Sequence, residues 1–261
     1  MSRDFHELMH GGLIVSCQAF PGEPLYGAPT MARMAMAAQI GGAVGIRANG
    51  PDDIRAIRAV TELPVIGIYK RTYENSFVYI TPTMTEVDEV VEAGADIVAV
   101  DATARRRPDG WATMDFLRAI RARHSVLVMG DVATLEEGML AAGAGVDIVS
   151  TTLSGYTAQS DAHDGPDFNL LAQLVRALAV PVVAEGRIST PQECARAFAI
   201  GAFAVVVGSA ITRPQDITRR FAEATPRGLG PRPGNDAGAP VIAQREVSVD
   251  TRAGVDGRTG R

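Results

Sequence analysis

The chain has 261 residues, 46% of them hydrophobic and 21% charged, with a formal net charge of -5. Its length suits a single (β/α)8 barrel of roughly 250 residues, and its composition can bury a core without disulfide or metal support. The negative balance and an aromatic share of only 5% argue against nucleic acid and anionic membranes as partners.

From the N-terminus, Met1–His10 is polar, carries Arg3, Asp4 and Glu7, and lacks the basic stretch and apolar run of a secretory signal. No apolar run approaches the roughly 18 residues of a membrane span, so a cytoplasmic protein is expected. Short β-rich runs follow at Leu13–Cys17, Ala43–Ile46, Val65–Tyr69 and Ile97–Val100. They continue at Val126–Met129, Val146–Ser150, Val180–Ala184 and Ala202–Val207. Each is apolar on both faces, as a strand in a helix-covered parallel sheet must be. Amphipathic stretches alternate with them at Pro51–Thr61, Thr85–Ala93, Thr113–Arg123, Leu135–Ala142 and Thr190–Ile200. Thr190 reads as an N-cap, with Pro191 in the first turn and Gly201 as the stop. Repeated Gly-Ala units (Gly94-Ala95, Gly143-Ala144, Gly201-Ala202) mark tight returns from helix to strand. Eight such units predict an α/β fold, a closed (β/α)8 TIM barrel, over residues 1–224. An open doubly wound sheet is the alternative, and no G-x-G-x-x-G fingerprint follows the first strand to support it. Beyond Ala224, residues 225–261 turn rich in Gly, Pro, Arg and Asp, and are expected to form a disordered tail, with a docking arm as the alternative.

The strand exits carry the chemistry. In chain order they are Gln18, Arg47, Lys70, Asp101, Asp131, Thr151-Thr152, Glu185 and Gly208-Ser209. In a barrel these points share the C-terminal mouth, where active sites lie. Polar residues begin many loops, but a full set at one end of every strand is a stronger signal than any one member. Lys70, desolvated there and with Arg47 and Arg71 as like-charged neighbours, is expected to lose its proton more easily than an ordinary lysine. Read singly it is as easily ion-paired to Asp101 or Glu185. Glu185 can pair with Lys70 or act as acid or base; a bridge to Arg47 or Arg187 is its plainer reading. Asp101 and Asp131 are expected either to hold sugar hydroxyls or to orient Lys70 and Arg47. Gly186, together with Gly208 and Ser209 opening a short helix, predicts a backbone phosphate cradle after strands seven and eight, supplemented by Arg187 or Arg213. No metal cluster or nucleotide motif is legible, and Cys17 reads as a buried structural thiol.

These segments together resemble the bacterial N-acetylmannosamine-6-phosphate 2-epimerases, from about Gly12 to Phe221. The resemblance rests on Gly12–Gln18 (GLIVSCQ), Gly45–Gly50 (GIRANG), Pro64–Arg71 (PVIGIYKR) and Val78–Thr83 (VYITPT). It extends through Asp101–Thr103 with Arg107-Pro108, Thr151–Thr157 (TTLSGYT), Ala184–Ile188 (AEGRI) and Val207–Pro214 (VGSAITRP). Gly130, where alanine is expected, and the tail after Ala224 depart from the pattern. The resemblance implies interconversion of N-acetylmannosamine 6-phosphate and N-acetylglucosamine 6-phosphate, a step of sialic-acid and amino-sugar catabolism, without a cofactor or metal. It implies Lys70 as catalytic base and acid, with Glu185 as its partner. Gln18, Arg47, Asp131 and Thr152 would bind the sugar, and Gly186, Arg187, Gly208 and Ser209 the phosphate. A Schiff-base phosphosugar enzyme using Lys70, or a non-catalytic phosphosugar-binding protein, are the alternatives. A homodimer is compatible with a barrel, and the sequence names no interface.

Overall fold

The computed structural model describes residues 5–228. Eight parallel strands close into a barrel in chain order: β1 (Leu13–Cys17), β2 (Gly45–Asn49), β3 (Val65–Ile68), β4 (Ile97–Asp101), β5 (Leu127–Asp131), β6 (Ile148–Ser150), β7 (Val182–Glu185) and β8 (Ala204–Val207). β8 pairs with β1, so no sheet edge is left open. The expected barrel is therefore the fold observed. Most of the expected tail lies outside the described residues.

Around the barrel run α2 (Ala28–Ile40), α3 (Pro51–Arg58), α4 (Met84–Glu92), α5 (Thr113–Arg123), α6 (Leu135–Gly143), α7 (Phe168–Ala177) and α8 (Pro191–Ile200). A short α1 (Phe5–Met9) precedes β1, and α9 (Ser209–Thr212) and α10 (Pro214–Glu223) follow β8. Three of these helices begin with the same reciprocal device. Thr83 with Glu86, Thr134 with Glu137 and Thr190 with Glu193 each form a capping box at α4, α6 and α8. Gly201 takes φ 112° and stops α8 as expected. After α6, however, the left-handed turn belongs to Gly145 (φ 90°), because Gly143 is still helical.

The strands are apolar on both faces because they divide two cores. Val15, Ile46, Val98, Val128 and Val205 pack outward against the helices. Ile14, Ile66, Ile97, Met129, Ile148, Val183 and Val206 fill the barrel interior, with Met9 of α1 and Phe203 in the same cluster. At Gly130, an added Cβ would meet the Cβ atoms of Ala102 at 3.2 Å and Ala141 at 3.4 Å, so glycine fits this tightly packed stretch of β5.

One strand differs from its sequence reading in a way that matters. β2 begins two residues later than the Ala43–Ile46 segment and runs on to Asn49, so Arg47 sits mid-strand, paired in register between Ser16 and Ile66. It is a fully buried residue of the barrel and not the first residue of a loop. β4, β5 and β7 likewise extend far enough for Asp101, Asp131 and Glu185 to be their last residues.

Candidate active site

A cavity of about 520 Å³ opens at the C-terminal mouth, within the usual size of a small-ligand site. Lys70, Glu185, Gln18, Arg47, Thr152, Gly186, Arg187, Gly208 and Ser209 all line it. Asp131 does not. Its side chain is fully buried one layer below, with Oδ2 accepting from Arg47 Nη2 at 2.5 Å and Oδ1 accepting from Arg47 Nη1 at 3.2 Å and Thr152 Oγ1 at 2.8 Å. The structure therefore gives Asp131 the work of orienting Arg47 and Thr152.

Arg47 turns Nη1 to Glu185 Oε2 at 2.8 Å, so one guanidinium joins two carboxylates. Burial alone would lower its pKa. The fields of Asp131 and Glu185 outweigh that and hold Arg47 charged. Glu185 itself is pushed up by burial, with Asp131 adding like charge, although Arg47, Thr152 and Lys70 pull the other way. No Lys70–Glu185 ion pair forms: the acid's direct partners are Arg47 and Thr152.

The chain's 25 basic side chains include a single lysine, Lys70. Burial lowers its pKa to about 8, and the charges of Arg47 and Arg213 add to the effect against opposing pulls from Glu185 and Asp131. A guanidinium could not titrate in this range. Arg71, expected to contribute, turns away to Glu86 at 3.1 Å and the Tyr69 hydroxyl at 3.2 Å. Lys70 is fixed through its backbone, whose N–H donates to Asn49 Oδ1 at 2.8 Å. Its Nζ lies 5.0 Å from the centre of the Phe20 ring.

Asp101 is corrected as well. It is fully buried, accepts from Arg105 at 2.6 Å and from the Thr103 hydroxyl at 2.7 Å, and orients neither Lys70 nor Arg47 by direct contact. Arg187 lines the cavity, yet its guanidinium donates to the carbonyls of Ser154 (2.8 Å) and Gly155 (3.1 Å) and stacks over Tyr156. Its own backbone is left-handed at φ 56°, next to Gly186 at φ 113°. Arg213 pairs with Glu23 at 3.0 Å across the mouth. Two polar atoms remain buried without a partner at the site: Gln18 Oε1 and Arg47 Nε. Such atoms are rare unless a ligand or water completes them.

Sequence reasoning missed Ser16, Phe20, Tyr79 and Tyr156, which also line the cavity. Tyr79 lay in a quoted segment but carried no periodic signal; burial keeps its phenol protonated well above the ordinary range. Cys17 is buried and its thiol is pushed up to about 12 by burial, as a structural cysteine should be. Among the described residues no group of three or more His, Cys, Asp or Glu could hold a metal, and no helix is long and apolar enough to cross a membrane.

Comparison with known proteins adds a family to this geometry. Residues 31–227 match the family described as "Putative N-acetylmannosamine-6-phosphate epimerase". A relative from Caldanaerobacter subterraneus subsp. tengcongensis, named "Putative N-acetylmannosamine-6-phosphate 2-epimerase", is 55% identical over 222 residues, covering 85% of this chain and 94% of its own. One of the same name from Clostridium perfringens is 52% identical over 217 residues, 83% of this chain and 98% of its own. The solved structure of the N-acetylmannosamine-6-phosphate 2-epimerase from Clostridium perfringens superposes with a TM-score of 0.83 at 49% identity, over 86% of this chain and 98% of that one. Thiamine phosphate pyrophosphorylase from Pyrococcus furiosus shares the fold alone, at a TM-score of 0.55 and 17% identity over 81% of this chain and 91% of that one.

Proposed function

The chain belongs to the N-acetylmannosamine-6-phosphate epimerase family, and from that premise we propose that it interconverts N-acetylmannosamine 6-phosphate and N-acetylglucosamine 6-phosphate. The observation that carries the reading is the only amine side chain of the protein, poised near neutrality in the same cavity as Glu185.

The proton at C2 of the closed sugar ring is not acidic. Ring opening puts C2 beside an aldehyde, and removal of its proton then leaves an enolate. Neutral Lys70 takes that proton. Glu185, whose raised pKa lets it hold a proton, serves ring opening or a hydroxyl of the sugar. Arg47, kept charged by Asp131, faces the oxyanion that develops, and such a donor contributes a few kcal/mol. The unpartnered Gln18 Oε1 accepts from a sugar N–H or O–H. Delivery of a solvent-exchanged proton to the other face of C2 inverts the centre.

The phosphate is assigned to the backbone at Gly186, in the left-handed turn after β7, and at Gly208 and Ser209, where the first N–H groups of α9 lack intrahelical partners. Arg213 stands beside it. Arg187 contributes chiefly by holding the loop of Ser154 and Gly155 against β7, since its guanidinium is engaged there. Binding at this remote group holds C2 in register. The reaction places the protein in amino-sugar and sialic-acid catabolism.

The test is proton NMR of N-acetylmannosamine 6-phosphate with the purified protein. Signals of N-acetylglucosamine 6-phosphate should grow to a fixed ratio, and Lys70→Ala should abolish them while still binding the phosphosugar by calorimetry. Binding by the wild-type protein without conversion would replace this reading with a non-catalytic phosphosugar-binding protein.

A further inference from the structure

Lys70 sits at the base of a small hairpin that is braced from behind by groups outside the cavity. β3 ends at Ile68, and the chain then folds back. Arg71 N–H donates to the Tyr79 carbonyl at 3.0 Å and Thr81 N–H to the Tyr69 carbonyl at 2.9 Å, so Lys70 and Ile80 form an isolated antiparallel bridge. One arm presents Lys70 to the cavity and the other presents Tyr79 and Ile80.

Thr81, at the foot of the second arm, is fully buried with φ 46°. A β-branched residue holds that left-handed conformation only where its surroundings impose it. Its hydroxyl accepts from Tyr69 N–H at 3.1 Å and donates to the Ala99 carbonyl of β4 at 2.8 Å. Arg107 closes the arrangement. It is 1% exposed, stacks 3.8 Å from the Phe116 ring centre, and donates to the carbonyls of Thr81, Pro82 (3.0 Å) and Asp101. A buried guanidinium is costly unless its N–H groups are satisfied; here backbone oxygens take both Nη groups, two from the hairpin's exit and one from the end of β4, while Nε stays buried without a partner. The hairpin tip is tied to the same loop: Asn75 Nδ2 donates to the Pro108 carbonyl at 3.2 Å and Ser76 Oγ to the Arg106 carbonyl at 2.6 Å.

We propose that Arg107 is a positioning residue for the reaction: through the Thr81-Pro82 carbonyls it locks the hairpin whose first arm aims the Lys70 amine into the cavity. This rests on the reading of Lys70 as the base. A displacement of about 1 Å at a reacting group can lower a rate about 10²-fold, so a loop brace can matter to chemistry without touching substrate.

The test compares Arg107→Met, which keeps an apolar stem over Phe116 and removes the donors, with Thr81→Val and Thr81→Ser. Arg107→Met should lower kcat about 10²-fold and Thr81→Val about tenfold, both with KM within about threefold of wild type. Thr81→Ser, which keeps the hydroxyl, should stay near wild type. A readout independent of turnover comes from the single lysine. Reductive methylation with 13C-formaldehyde labels only Lys70 and the α-amino group, so the titration of Lys70 can be followed by NMR. The wild-type amine should titrate near 8 and the Arg107→Met amine should move up toward the ordinary value of about 10.4.

A wild-type amine titrating at the ordinary value would sink the base reading itself. A wild-type amine near 8 with an unmoved titration and kcat in Arg107→Met would sink the proposal alone. Should Arg107→Met fail to fold by circular dichroism, the Thr81 pair decides: equal losses in Ser and Val, or a rise in KM at unchanged kcat, would overturn it.

Discussion

The floor and the mouth of this barrel are built from the same strands to opposite rules. At the floor, Met9 of α1 is wholly buried in the cluster that holds Ile14, Ile97, Ile148 and Phe203. At the mouth, the same strands end in polar or charged groups. β1 gives Ile14 below and Ser16 above, β5 gives Met129 below and Asp131 above, and β7 gives Val183 below and Glu185 above. The mouth buries Arg47 with two carboxylates, holds an amine near neutrality, and leaves Gln18 Oε1 and Arg47 Nε unpartnered. The lower end is arranged for stability, and the upper end accepts electrostatic cost for chemistry.

Substitutions at the two ends should therefore separate activity from stability. The largest effect is expected at Lys70. Lys70→Met should lower kcat about 10³-fold or more, and Lys70→Arg should do no better, because a guanidinium stays protonated. Lys70→Met should also raise stability at pH 7 by roughly 1–3 kcal/mol, since the buried ammonium is disfavoured in the folded state. Urea unfolding checks this; a destabilised Lys70→Met would break the contrast.

Next in size is Met9→Ala at the floor. Loss of a fully buried methionine should cost about 2–5 kcal/mol, while kcat of the folded protein stays within about twofold, because the floor lies away from the cavity. Glu185→Gln should lower kcat about 10²-fold with a smaller change in stability.

The smallest effect is the pH profile. Activity requires the neutral amine, so kcat/KM should rise with pH and level off above about 8, where Lys70 has lost its proton. The linked stability has the same sign. The folded-state pKa is below the unfolded one, so the unfolded chain binds more protons between about 8 and the ordinary lysine value. The penalty is fully present below about 8 and is relieved as pH rises through that window. The stability gap between wild type and Lys70→Met should accordingly narrow toward high pH.

Much of this contrast was legible in the amino-acid order. Buried parallel strands announce themselves by apolar runs on both faces, and their exits gathered as the barrel required. The limits have physical causes. Arg47 read as a loop residue because a cation inside a strand contradicts its local pattern; only two carboxylates from distant parts of the chain, Asp131 and Glu185, make that burial tolerable. Arg71 and Asp101 were placed near Lys70 by adjacency in sequence or at the rim, yet each found a closer opposite charge in Glu86 and Arg105. The β3–α4 hairpin has no periodicity and exists through contacts to the neighbouring strand, such as Thr81 to Ala99 of β4. Tyr156 and Phe20 lie in loops whose course depends on Arg187 and Glu23.

The proposed reaction requires one proton to leave C2 and a solvent-exchanged one to replace it. The direct measurement is mass and NMR analysis of N-acetylglucosamine 6-phosphate made from N-acetylmannosamine 6-phosphate in D2O. Solvent deuterium at C2 in the product is the result this arrangement of Lys70, Glu185 and Arg47 requires. Product that retains its original hydrogen at C2, or a sugar adduct trapped on Lys70 by borohydride, would contradict it.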